Sequence, residues 1–234
     1  YSFFIKKRRQ IKHIVILTLS ALAMIFIKPY IFFAIIPGSL MWMFFDRLSK
    51  IKNPIIKLFS LPEILTVLVG LVLLAMQFLA DYLGEYSLDN VLNKAVKTQQ
   101  DLIRSEQYGV HNYDIGKFDA TIAGITSKIP KAIELALFRP YIWHANNIVM
   151  FLSGIENLFI LGFSIFILLR VKITVLLRSM VSNPLFIFSF LFALFFAFSV
   201  GLTTANYGAL VRLKIPCIPF YSCSLFILYF INKN

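Results

Sequence analysis

The sequence predicts an all-α fold: a polytopic transmembrane helical bundle of about six membrane segments, with an outer loop region that carries amphipathic helices. Three observations carry this. Of the 234 residues, 59% are hydrophobic and 15% charged, 25 of them are phenylalanine, and mean hydropathy is +0.80. A soluble domain is nearer to roughly half apolar and about a quarter charged. The apolar residues also fall in runs close to the roughly 20 that cross a bilayer. Finally, the net charge of +12 is gathered between alternate runs and not on one surface.

In chain order, the basic start YSFFIKKRRQIK lacks the apolar core and small-residue cleavage site of a signal peptide. A chain opening at Tyr1 reads as processed, or as part of a longer protein. The first apolar region, His13 to Phe45, is too long for one span at about 1.5 Å per residue. Lys28-Pro29 interrupts it, and proline disfavours helix at the residue before it while opening a new one readily. The expectation is a hairpin of two short helices with Lys28-Pro29-Tyr30 at its tip; one kinked helix is the alternative. Leu61–Leu79, Asn147–Leu169, Pro184–Leu202 and Ile215–Ile231 supply the remaining spans. The chain thus divides into residues 1–80 (basic start, hairpin and third helix), 81–145 (outer region) and 146–234 (a three-helix membrane part).

The outer region is too long for a structureless connector. Within Ser87–Gln107, Leu88, Val91, Leu92, Ala95, Val96, Leu102 and Ile103 recur at steps of three and four, which is one helical stripe, with Ser87 placed as its N-cap. The opposite face is charged, so this helix lies on the membrane or on the other helices. Tyr108–Asp119 is rich in turn formers and reads as a loop. Pro130 suits the first turn of a second helix, Pro130–Phe138, ending at Arg139-Pro140.

Charge orients the bundle, since lysine and arginine concentrate in cytoplasmic loops. Segments 1–13, 46–60, 170–183 and 232–234 hold thirteen basic residues opposed by Asp46 alone, whereas 81–145 holds seven basic against eight acidic. Both termini are therefore expected in the cytoplasm and 81–145 in the periplasm or outside. The implied setting is a membrane, with the lipid bilayer as partner; the resemblance given below implies a bacterial inner (cytoplasmic) one. The same distribution speaks against nucleic acid, which needs its positive charge in one patch.

On this map Lys28, Arg139, Arg212 and Lys214 gather at the outer level, where a pocket of cations suits a phosphate or diphosphate. The plainer alternative is basic side chains reaching to lipid phosphates. His144 and His111 are candidate bases, histidine titrating near neutrality. Glu156 sits well inside its span, where ionisable groups are costly and face the bundle interior; it is a candidate catalytic or coupling group, or polar glue between helices. No histidine or cysteine set has metal-ligand spacing, and there is no P-loop, dinucleotide fingerprint or hydrolase elbow. No metal or other cofactor is implied. Cys217 and Cys223, six apart in the last span, read as small apolar residues.

Three stretches carry a resemblance: LFRPYIWHANN (137–147) with IEN (155–157), NYGALVRLKIPCIPF (206–220), and IKPYIFFAIIPGSLMW (27–42). They resemble bacterial polytopic inner-membrane proteins, longer than this chain, that are encoded among cell-surface polysaccharide genes. The resemblance implies a role in envelope glycan assembly, with a polyprenyl-diphosphate-linked sugar handled at the outer face by a glycosyltransferase-like polymerase or ligase. It brings no family catalytic residues with it. A transporter or flippase using Glu156, and a non-catalytic membrane subunit, are the competing readings.

Overall fold

The computed structural model describes residues 11–27, 29–51, 88–104 and 113–233, with isolated positions between 53 and 74. These form ten α-helices: α1 (Ile11–Ile27), α2 (Pro29–Ser49), α3 (Leu88–Arg104), α4 (Ile122–Thr126), α5 (Ile129–Phe138), α6 (Ile148–Arg170), α7 (Ile173–Ser182), α8 (Pro184–Thr203), α9 (Tyr207–Leu213) and α10 (Cys217–Lys233). A single 3₁₀ turn, Ile142–His144, joins α5 to α6. Among the described residues there is no β-strand, so the all-α expectation holds. α6 and α8 are long and apolar enough to cross a membrane, and a third span is present if α9 and α10, bent by 64°, count as one. The expected third segment, Leu61–Leu79, falls largely outside the described residues.

α8 is the hub. α2, α3, α5, α7, α9 and α10 all pack against it. A helix apolar on every side is a buried one, and Phe186, Phe192 and Phe196 are among the largest wholly buried side chains in the chain. Asn183 starts α8 by accepting from the amides of Leu185 and Phe186, with Pro184 in the first turn, where its missing N–H has no intrahelical partner to lose. The same device recurs: Asn147 caps α6 through the Met150 amide, and Asn206 caps α9 through Gly208 and Ala209.

α6 is patterned inside out. Its buried residues include Ser153, Gly154, Asn157 and Ser164, while Val149, Leu152, Ile155, Phe159, Leu168 and Leu169 are exposed. Small and polar residues let helices approach and hydrogen-bond across their contact. Here the Ser164 hydroxyl meets the Tyr221 hydroxyl of α10 at 3.0 Å, and Gly154 leaves room for the backbone of Ile142.

In the first apolar region α1 is described up to Ile27 and α2 from Pro29; Lys28, at the expected hairpin tip, lies outside the described residues. Gly38 in α2 packs directly on Phe188 of α8, whose ring Trp42 also meets at 5.4 Å. The outer region contains both expected helices, and α3 turns Ala95, Gln99 and the partly buried Leu92 towards the core. Three things differ from expectation. α4 forms just past the predicted loop 108–119, in residues to which the sequence assigns no element, with Thr121 capping it. α7 occupies the segment between two spans. The last helix begins at Cys217 and not Ile215, because α9 and the bend take up the preceding residues.

The tightest approach is between α8 and α5, where a Cβ on Gly201 would land on the carbonyl oxygen of Ala132. Gly201→Ala is expected to lower the thermal unfolding temperature in detergent, the overpacking costing about 1–3 kcal/mol or more. Gly162→Ala, with nothing within 4 Å, is the matched control and should be neutral or gain up to about 1 kcal/mol from helix propensity. Equal unfolding temperatures for the two variants would contradict this packing.

Candidate functional site

Polar residues from two of the stretches singled out in the sequence, 137–147 with 155–157 and 206–220, meet where the end of α5, the 3₁₀ turn, α6 and the α9–α10 bend come together. Its centre is Lys214, only 1% exposed. The bend puts this residue between two helices and points it inward. Its Nζ donates to the Arg139 carbonyl at 2.9 Å and to Oδ1 of Asn157. Asn157, at 0% exposure, donates in turn from Nδ2 to the Pro140 carbonyl at 2.8 Å. The asparagine orientation is thereby assigned: oxygen to the ammonium, nitrogen to the backbone. One lysine and one asparagine thus tie α10's start, α6 and the Arg139-Pro140 corner together.

Arg139 projects from that corner to a second group of residues. Its Nε donates to Glu134 Oε1 at 3.0 Å, the Tyr141 hydroxyl donates to the same oxygen at 3.1 Å, and the guanidinium lies 5.1 Å from the Tyr141 ring centroid. Burial works against the arginine charge, but hydrogen bonding to Tyr207 and to Glu134 outweighs it and keeps the guanidinium ionised. Burial and the Glu134 carboxylate together raise the Tyr141 phenol above its ordinary value.

His144 completes a stack of rings. It lies 5.6 Å from Tyr141 and 5.0 Å from Tyr207, the second nearly parallel at 17°. The Tyr141 amide donates to Nδ1 at 3.3 Å, which leaves Nε2 carrying the proton in the neutral ring. Desolvation, and then the positive charge of Arg139, lower its pKa below 6.5. In this arrangement His144 is a neutral hydrogen-bond donor. Tyr113 adds a floor: its hydroxyl meets Thr204 Oγ1 at 2.6 Å, its amide donates to the Ala205 carbonyl at 2.9 Å, and its ring packs on Tyr207 at 4.9 Å. Burial raises the Tyr113 phenol pKa far above the usual range.

Of the residues singled out in the sequence, Arg139, His144 and Lys214 are therefore brought together. Glu156 is exposed on the outer side of α6 but lines a cleft of about 200 Å³ with Lys214. Arg212 is exposed on α9, bonded only through Nε to the Gly208 carbonyl at 3.1 Å, and does not join the network. Lys28 and His111 lie outside the described residues. Sequence reasoning missed Glu134, Tyr207 and the role of Asn157. The Glu134–Arg139 pair is five residues apart across a helix end, which is not a spacing that helical geometry flags. Tyr207 reads as one more interfacial aromatic.

Two outcomes follow. Asn157→Leu leaves the Lys214 ammonium buried with one acceptor fewer and should lower stability by about 3–5 kcal/mol. Lys214→Met should cost less, about 1–3 kcal/mol for the two orphaned oxygens, and adding it to Asn157→Leu should restore part of the loss in thermal unfolding. For His144 the sign is set by its lowered pKa: the unfolded chain binds the proton more readily, so stability is full above about 6.5 and falls as pH drops through and below it. The pH dependence of unfolding temperature between pH 7 and 5 should be shallower in His144→Phe than in the parent. No protein-family model, curated protein or solved structure matches the chain.

Proposed function

We propose that this chain is an integral membrane component of bacterial envelope glycan assembly, holding a polyprenyl-diphosphate-linked sugar at the outer face of the inner membrane. The observation that carries this reading is convergence. The two stretches that resemble envelope-gene membrane proteins, 137–147 with 155–157 and 206–220, are far apart in sequence yet interlock through Lys214–Arg139, Lys214–Asn157 and His144–Tyr207. The inside-out pattern of α6, large apolar residues outward and polar ones inward, supports the membrane setting, because lipid rewards the reverse of what water does. The proposal keeps six membrane segments, cytoplasmic termini and an outer 81–145 region.

Within this reading the roles sort by what each side chain has left to offer. Arg139 already faces Glu134, and Lys214 has two of its three N–H bonds committed to Arg139 and Asn157, so neither has donors enough left to clamp a diphosphate. Arg212 does, since its guanidinium has five donors and Nε alone is taken. Trp143, 73% exposed and 4.8 Å from Tyr141, offers a ring face beside it for a sugar. His144 supplies Nε2–H as a donor to a phosphate or sugar oxygen.

In the intact gene of the producing bacterium, Arg212→Ala should reduce surface polysaccharide about tenfold, the loss of one charge-assisted contact, with the protein inserted at its normal level. Full polysaccharide from an Arg212→Ala, Trp143→Ala double variant of normal abundance would sink the proposal.

A further inference from the structure

The cleft beside Lys214 is a different kind of site from the ring stack. Its lining is Glu156, Val211, Lys214, Ile215, Ile218 and Pro219. It therefore holds one cation and one anion of opposite formal charge, on walls that are otherwise aliphatic. The two charges do not close into an ion pair, although each lies within the other's electrostatic reach. Two of the three Lys214 N–H bonds are committed, to Arg139 and Asn157, so one donor remains. Glu156 forms no hydrogen bond within the described chain and keeps its full accepting capacity. Opposite charges held apart in a medium where attraction is strong leave a gap fitted to a group that is itself a dipole: an anionic acceptor at one end and a donor cation at the other.

The surroundings narrow that group further. The Glu156 neighbours Leu152, Ile155 and Phe159 are 60%, 47% and 68% exposed, and Ile215 on the rim is 64% exposed. The cleft opens onto an apolar flank of α6 that offers contact surface for a hydrocarbon chain. We infer that this cleft binds the headgroup of a phosphoethanolamine lipid, its phosphate accepting from Lys214 and its primary ammonium donating to Glu156. A choline headgroup is disfavoured, because trimethylammonium has no N–H to give the carboxylate and recognition of quaternary ammonium relies on aromatic faces that this lining lacks. A purely anionic headgroup meets the Glu156 carboxylate and is repelled. The inference rests on the membrane setting but not on glycan handling, which Arg212 and Trp143 report separately.

The test is native mass spectrometry of the full-length protein in detergent, with equal amounts of phosphatidylethanolamine, phosphatidylcholine and phosphatidylglycerol of matched acyl chains. The wild type should retain the ethanolamine lipid about tenfold over either competitor. Glu156→Gln keeps shape and an acceptor oxygen but loses the charge, and at an exposed position it leaves the fold intact. It should bring ethanolamine and choline lipids to equal retention, and Glu156→Asp should restore part of the preference. Equal retention by the wild type, tightest retention of the glycerol lipid, or a preference that survives Glu156→Gln would each overturn the assignment.

Discussion

A buried ammonium governs this architecture. An ion shielded from solvent persists only where acceptors surround it. Lys214 finds the Arg139 carbonyl and the Asn157 side chain, which belong to parts of the chain 75 and 57 residues away. The position of the Arg139-Pro140 corner, the rotation of α6 about its axis and the 64° bend between α9 and α10 must all agree for that to happen. Without the bend, residue 214 would continue a helix and its side chain would lie along that helix surface. With it, the chain turns through 64° next to α6 and the lysine points inward. A polar network of this kind specifies a single register in a way apolar packing does not, since sliding one helix past another by a residue strands the charge.

The second constraint is the absence of any polar face on α8. Because every side of it is apolar, it has no preferred direction of burial and accepts neighbours all round. Specificity comes instead from what the neighbours remove. Gly38 admits Phe188, and Gly201 admits the backbone of α5, so each contact is defined by a missing side chain. The segment leading into α4 is tethered at the same end through Tyr113, which bonds both the backbone and a side chain just past the end of α8. The polar junction and the apolar hub are thereby parts of one object: α8 delivers residues 204–207 to the place where Tyr207 meets His144.

Much of the helical plan was legible in the sequence because length and composition carry it. The starts of α6 after Asn147 and of α8 at Pro184 fall where the apolar runs begin, and α5 ends at Arg139-Pro140 as expected. The bend before Cys217 was not legible: the apolar run marks one span over Ile215–Ile231 and does not show that residues 207–213 form α9. The junction was legible as a list of unusual residues and not as a set of bonds. Arg139, His144, Glu156 and Lys214 stand out because polarity in an apolar context is rare. Glu134 and Tyr207 do not, since a carboxylate in an outer helix and an interfacial tyrosine are ordinary. Pairwise geometry between distant segments is a tertiary fact that no local pattern encodes.

The arrangement also shows how cations persist beside apolar helices, where an uncompensated charge is costly. Each one inside the junction is compensated on the spot. Arg139 faces Glu134 and a ring of π electrons, while Lys214 faces two carbonyl-type oxygens and shares its cleft with Glu156. These charges are consequently poor recruiters of distant anions and good fasteners of structure, since their fields are closed locally. Arg212 is the exception: one turn's backbone carbonyl is its sole partner, and its field extends outward. The basic residues at this end thus differ in how much of their charge is spent within the chain: most of it at Arg139 and Lys214, little of it at Arg212. Residue type and sequence position do not reveal that difference.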